Sequence, residues 1–319
     1  MRRSIVVVGS VNLDLVCKAK RIPAPGETVT GETFETFHGG KGANQAVAVG
    51  RLGFPVSMIA KVGNDAFGQR LRAGLRAANV NVRAVGSAKD TASGVALITV
   101  DSDGQNSITV IPAANAQLLP RDLEKSLPQL RAAGMILTQL EIPLETVEYL
   151  CGLAGRFHIP LMLDPAPARA LSNELLRHVT YLTPNETETA ALCGISSDEL
   201  TPATVNELAR NLQERGPANI IIKMGKHGAF IAGADKLRHT VPAFKVRVVD
   251  STAAGDAFNG GLAVALMQGL GLQEAVRFAA AVGALSVTRA GAQPAMPTAA
   301  EVKKFLKEQL KPRPRRFRK

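Results

Sequence analysis

The chain has 319 residues, 46% hydrophobic and 20% charged, with a formal net charge of +11. Such a composition excludes a disordered or fibrous chain and permits a large buried core. Residues 311–319 hold six basic side chains and no acid, leaving about +5 on the other 310 residues. The charge excess is therefore mainly a property of a tail, and it is weak support for a nucleic-acid-binding body.

The first apolar run, Ile5–Val8, is cut short by Gly9, Asn12 and Asp14. A secretory leader needs an apolar stretch of ~7–15 residues, so this run reads as a buried first strand. No run approaches the ~18 residues of a membrane span. Residues 11–38 follow with Pro-flanked stretches and alternating Thr and Phe. Further apolar runs, interrupted only by Ser57, lie at 56–60, 135–137, Leu161–Leu163 and 220–222, with helix-like segments at 66–78, 144–155 and 204–215 between them. Fully apolar strands alternating with helices predict an α/β domain with a doubly wound, mainly parallel sheet flanked by helices. Residues 93–112 read as a hairpin with Asp103-Gly104 at its tip. Together with residues 12–38 it predicts a small β-sheet projecting as a lid from a single domain over residues 1–310. Residues 246–249 read as another strand, and the chain beyond Ala257 as helix to about Leu310 with a break at 289–297. Cys17, Cys151 and Cys193 are widely spaced without a CxxC pair, and five histidines form no HExxH. They predict reduced thiols, no zinc site and a cytoplasmic compartment.

Residues 250–261 read Asp-Ser-Thr-Ala-Ala-Gly-Asp-Ala-Phe-Asn-Gly-Gly. Small residues at Ala253, Ala254 and Gly255 let backbone N–H groups approach a ligand, and a helix N-terminus favours an anion. Asp256 falls in the first turn of that helix. A carboxylate beside an anion hole suits phosphoryl transfer to a hydroxyl, one part taking the proton and the other stabilising phosphate charge. The same residues also read as a glycine-softened helix start with Asp256 facing the dipole. Earlier, His38-Gly39-Gly40-Lys41-Gly42-Ala43-Asn44-Gln45 exposes backbone amides before a helix-like stretch at 46–52. It is not a Walker A loop, because Gly42 follows the lysine. Asn12 and Asp14 after the first strand read as a turn or as ligand contacts. Asn185 and Glu188 read as a helix cap or as a carboxylate for Mg²⁺. Lys223, Gly225 and Gly228 read as a hairpin turn or a nucleotide loop.

In order and spacing these segments, with Arg289-Ala-Gly-Ala-Gln-Pro294 near the end, resemble the ribokinase-like (phosphofructokinase-B) family of carbohydrate kinases over about residues 4–309. The resemblance implies ATP-dependent phosphorylation of D-ribose at its 5-hydroxyl. Deoxyribose or another sugar or nucleoside is the alternative acceptor, and a non-catalytic sugar-binding regulator the alternative class. It implies Asp256 as base, the amides of Ala253, Ala254 and Gly255 as anion hole, and Asn12, Asp14, Gly40, Lys41, Gly42, Asn44 and Glu141 around the sugar. Asn185, Lys223, Gly225, Gly228 and Gly255 would line the ATP side, with Glu188 supporting Mg²⁺. A monovalent cation, K⁺, would lie at Asp250, Thr252, Ser286, Arg289, Gly291 and Ala295, mostly on backbone carbonyls. Ala295 stands where relatives often carry Ser, and Ala280 where Asn or His commonly approaches the adenine. The resemblance further implies a homodimer formed through the lid. The basic tail lies outside it and reads as a solvated end, with a weak polyanion contact as the alternative.

Overall fold

A computed structural model describes residues 4–309 of the protein; the basic segment 311–319 lies outside them. The four residues of β1 (Ile5–Val8) are all buried. Successive side chains of a strand point to opposite faces: Ile5 and Val7 enter one apolar layer, and Val6 and Val8 the other. Such a strand must be covered on both sides.

From β1 the chain runs through β2 (Asn12–Ala19), β3 (Gly31–Gly39), α1 (Lys41–Arg51), β4 (Val56–Gly63), α2 (Ala66–Ala77) and β5 (Val80–Ala88). It continues through β6 (Gly94–Val100), β7 (Asn106–Ile111), α3 (Pro120–Glu124), α4 (Leu127–Arg131), β8 (Met135–Thr138), α5 (Leu144–Arg156) and β9 (Leu161–Leu163). Then follow α6 (Asn173–Leu176), β10 (Tyr181–Leu182), α7 (Glu186–Cys193), α8 (Val205–Glu214), β11 (Asn219–Lys223), β12 (Ala229–Ala232) and β13 (Arg238–Val241). Three helices close the described chain: α9 (Ala254–Met267), α10 (Leu272–Ser286) and α11 (Ala299–Gln309).

Nine strands form one sheet in the order β13-β12-β11-β10-β9-β8-β1-β4-β5, parallel except for the β11-β12-β13 edge. Helices α1, α2, α9, α10 and α11 cover one face through residues such as Leu71, Leu262 and Val276. Helices α3 to α8 cover the other through Leu150, Leu175 and Leu208. Strand order reverses between β1 and β8, because the chain first winds outward through β4 and β5 and then returns. Open α/β sheets hold ligands outside the carboxyl ends of strands at such a point. Here that point is occupied by Gly9, Ser10, Gln139 and Glu141. A second sheet, β3-β2-β6-β7, stands apart from the first, and its β6-β7 hairpin turns at the expected Asp103-Gly104.

Three sequence readings differ from the structure. Residues 246–249 form no strand; Val248 and Val249 are exposed, and Val249 N donates to Val287 O at 2.7 Å. An apolar run alone does not make a strand when the sheet already ends at β13. Helix α1 begins at Lys41 rather than Ala46, since Glu141 accepts the Lys41 N–H at 3.0 Å. That cap comes from 100 residues away in sequence, where no local signal announces it. The C-terminal helices are also broken at 268–271, where Gly269 has φ +85°.

Candidate active site

Each strand of the parallel sheet delivers its next residues to one edge. After β1, Ser10 Oγ donates to Glu141 Oε2 at 2.5 Å, and Ser10 O accepts the Ala43 N–H at 2.9 Å. The glycine-rich loop is thereby pinned to the end of β1. Its glycines are required sterically: Gly40 has φ +87°, and a Cβ there would lie 2.7 Å from Asn12 N. Gly39 leaves space for another group, since its Cβ would lie 2.2 Å from Asp14 Oδ2.

Asn12 and Asp14 on β2, Gly40, Lys41, Gly42 and Asn44 around the start of α1, and Glu141 after β8 thus converge. Asn115 orients the first of them: its amide donates to Asn12 Oδ1 at 2.7 Å and pairs with the Val11 backbone. The Asn12 NH₂ is left facing away from Asn115 as a donor. Burial, reinforced by the charge of Glu141, pushes the Asp14 carboxyl up to about 7.

Asp256, in the first turn of α9, is 5% exposed. Its Oδ2 accepts from Asn44 Nδ2 at 3.0 Å and its Oδ1 from Gln45 Nε2 at 3.2 Å. Burial raises its pKa to about 6 against the opposing pull of Lys41, with Asp164 and Glu141 adding to the rise. Burial disfavours the Lys41 ammonium, but Asp256, Asp164, Glu141 and Glu188 together more than offset this and raise its pKa. The base site therefore faces a firmly held positive charge.

The turn into α9 places Ala253 at φ +58°, a left-handed conformation that is uncommon for a residue with a side chain. Ala254 N donates to Ser251 O at 3.2 Å. The N–H groups of Ala253, Gly255 and Asp256 have no such partner among the described residues. These amides border a cleft of about 880 Å³, which Asn185, Glu188, Lys223, Gly225 and Gly228 also line. Lys223 pairs with Asp164 at 2.9 Å, and a Cβ on Gly255 would lie 3.4 Å from Lys223 Nζ. Asn185 and Glu188 form a reciprocal capping box (2.7 and 2.8 Å) at the start of α7. Burial raises the Glu188 pKa, Lys223 opposes the rise and Asp164 adds to it. Ala280 lies in the cleft wall.

Of the six residues expected around a cation, three are joined directly. Asp250 accepts from Thr252 N (2.8 Å), Thr252 Oγ1 (2.6 Å) and Gly291 N (2.8 Å). Ser286 Oγ donates to Gly283 O at 2.9 Å, and the Arg289 guanidinium pairs with Glu301. Ala295 is buried. The carbonyl oxygens of Thr252, Gly291 and Ala295 accept no backbone N–H among the described residues.

A model of the pfkB family of carbohydrate kinases matches residues 2–299. The chain belongs to that family. The ribokinase of Bacillus subtilis (strain 168) is 42% identical to it over 305 residues, spanning 95% of this chain and 99% of that protein. The deoxyribokinase of Salmonella typhi is 37% identical over 303 residues, spanning 95% and 98% respectively. The structure of Arabidopsis thaliana ribokinase complexed with ribose and ATP is similar at a TM-score of 0.91 and 33% identity, covering 96% of this chain and 99% of that one.

In this pfkB-family kinase, several site residues escaped the reading of motifs. Asp164 follows β9 and binds both Lys223 and Gln45; its position after a buried parallel strand was the available signal. Gln45 and Gln293 lie inside quoted motifs but had no assigned partner. Ser10, Asn115 and Gln139 carry no local signal, because their partners are distant in sequence.

Proposed function

We propose that the protein transfers the γ-phosphoryl group of ATP to the 5-hydroxyl of D-ribose, with Asp256 as the general base. The observation that carries this reading is the position of Asp256. It lies between the convergent polar groups of β2, α1 and Glu141 on one side and the cleft with its free α9 amides on the other. A hydroxyl in the first region meets a carboxylate that accepts its proton. A phosphoryl group in the second meets Gly255 N–H, Asp256 N–H and the Lys223 ammonium. Such preorganised donors act where charge develops and need no rearrangement during the reaction. Asn12, Asp14 and Glu141 offer one donor and two acceptors to the sugar hydroxyls, and a site of this kind rejects analogues that lack them.

The residues suit the two ions expected of this reading. Glu188, buried near Asp164 and raised in proton affinity, gains from a nearby cation; Mg²⁺ takes one or two carboxylates together with phosphates and waters. Bound there, Mg²⁺ would neutralise phosphate charge. The carbonyls of Thr252, Gly291 and Ala295, with Asp250 between the first two, form a donor set suited to K⁺. The Arg289 side chain is engaged elsewhere, so only its carbonyl is available. Exposed Phe34, Leu97, Ile108 and Val110 on the small sheet support pairing with a second copy. No helix among the described residues is long and apolar enough to cross a membrane, and the three cysteines are free, which supports a cytoplasmic setting.

The substrate reading is tested by coupled turnover across pentoses, hexoses and nucleosides, with and without K⁺. D-ribose is expected to give the highest kcat/KM, and K⁺ to activate at lower concentration in Ala295→Ser than in the parent. Preference for 2-deoxyribose would replace the substrate. Full activity without any monovalent cation would remove the ion.

For Asp14, Asp14→Ala is expected to weaken ribose by about 1.5–3 kcal/mol, the range for a hydrogen bond to a charged group, with ATP affinity unchanged. Because the Asp14 pKa is raised to about 7, the carboxylate acceptor is lost as pH falls through 7. Ribose KM should therefore rise between pH 8 and 6 in the parent and stay flatter in Asp14→Ala. Calorimetry showing equal losses for both ligands would move Asp14 out of the sugar site.

A further inference from the structure

The polar layer beneath Asp256 contains two fully buried amides, Gln45 and Gln139, that the scheme above does not use. Gln45 Nε2 donates to Asp256 Oδ1 at 3.2 Å and to Asp164 Oδ2 at 3.0 Å, while its Oε1 accepts from Gln139 Nε2 at 2.6 Å. Chemistry fixes the direction of this chain. An ionised carboxylate only accepts, so Gln45 must turn its NH₂ toward the two aspartates and its oxygen toward Gln139. Gln139 must then be the donor. A parallel arrangement serves the other oxygen of Asp256, where Asn44 donates at 3.0 Å and itself accepts from Gln293 at 3.2 Å.

Gln139 is a poor choice for stability alone. Its Oε1 is buried without a partner among the described residues. It lies where a Cβ on Gly9 would approach to 2.1 Å. An unpaired buried oxygen is costly, and an apolar side chain of similar shape would avoid that cost. What Gln139 supplies instead is its N–H.

We propose that Gln139, acting through Gln45, is a positioning residue that presents the Asp256 carboxylate as a proton acceptor; this rests on the reading of Asp256 as the base. Without the Gln139 donor the Gln45 oxygen is left unpaired, and turning the amide so that this oxygen accepts from a protonated Asp256 no longer costs a hydrogen bond. An acceptor facing a carboxylate favours the protonated form, so the base would hold its proton to higher pH. Lys41, Asp164 and Glu141 also face Asp256, and Lys223 and Glu188 act on Asp164. A change at position 139 removes none of these groups, so a shifted titration reports the amide relay.

The test is the pH dependence of kcat at saturating ribose, where the titration of Asp14 on ribose binding drops out, in Gln139→Met, which nearly conserves volume. The acid limb is expected to move up by about one pH unit, within the range of environmental shifts. Activity at pH 6 would then fall about fivefold, activity at pH 9 would stay within about twofold of the parent, and ATP KM would not change. Because Gln139 acts through Gln45, the double Met variant should lose no more than Gln45→Met alone. A uniform loss at every pH with the limb in place, or additive losses in the double variant, would overturn the proposal. If Gln139→Met does not fold, Gln139→Leu, which likewise lacks the donor and adds no charge, carries the same comparison. Asp256→Asn separates the two readings. Retained turnover there removes the base itself, whereas an inactive Asp256→Asn with an unmoved limb at position 139 removes only the relay.

Discussion

Asp256→Asn is expected to give a folded protein whose turnover is lower by about 10²–10⁴-fold, the usual contribution of a general base. Asparagine has nearly the same shape and can still accept one hydrogen bond, from Asn44 or Gln45, but it cannot take a proton from a sugar hydroxyl. The loss should appear in kcat at saturating ribose and ATP. Stability should not fall with it. The Asp256 pKa of about 6 lies above its ordinary value of 3.8, so the folded state holds a proton that the unfolded chain releases between those pH values. Its contribution to stability is fully present below pH 3.8 and is lost as pH rises through 6. Above pH 7 the buried charge is a cost that a neutral amide avoids, so the melting temperature of Asp256→Asn should match or exceed that of the parent. Near-parent kcat in the folded variant would refute the role.

How much of this was legible in the sequence depends on how local each cause is. Ile5–Val8 and Leu161–Leu163 announce themselves because a strand buried on both faces has no polar position. The 93–112 hairpin is legible from Asp-Gly, and the Asn185–Glu188 cap from its three-residue spacing. The α1 start is not legible: glycines at 40 and 42 argue against helix, and the carboxylate that holds the Lys41 N–H arrives from Glu141. The same holds for the base. Asp256 is visible in its motif, but the Gln139–Gln45 and Gln293–Asn44 relays that hold it are assembled only when β8, α1, α9 and the 289–297 turn meet. Residues 246–249 fail for the opposite reason, since their apolar pattern serves the wall of a cleft rather than a sheet.

Gly42→Ala tests whether that assembly depends on the close approach of α1 to β1. Gly42 lies in the first turn of α1, where an alanine would ordinarily favour helix by up to about 1 kcal/mol. Here a Cβ would sit 2.7 Å from both Gly9 C and Ser10 N and 2.8 Å from Gly9 Cα. All three are backbone atoms next to the central strand, and β1 is held by β4 on one side and β8 on the other. The strand cannot yield, so α1 must move outward. Overpacking of this kind costs about 1–3 kcal/mol, more than the helix preference returns. The displaced turn carries Lys41, Asn44 and Gln45, so the hydrogen bonds to both oxygens of Asp256 lengthen together. A misplacement of ~1 Å can cost about 10²-fold in rate. Gly42→Ala is therefore expected to lower kcat/KM at least that far and to lower the melting temperature. The matched control is Gly53→Ala, beyond the far end of α1, where a Cβ meets nothing within 4 Å. Its φ of +74° makes it strained, so it should lose stability while kcat/KM stays near the parent value. Equal losses of activity in both variants would show that strain anywhere around α1 suffices, and that the contact with β1 is not what sets the base.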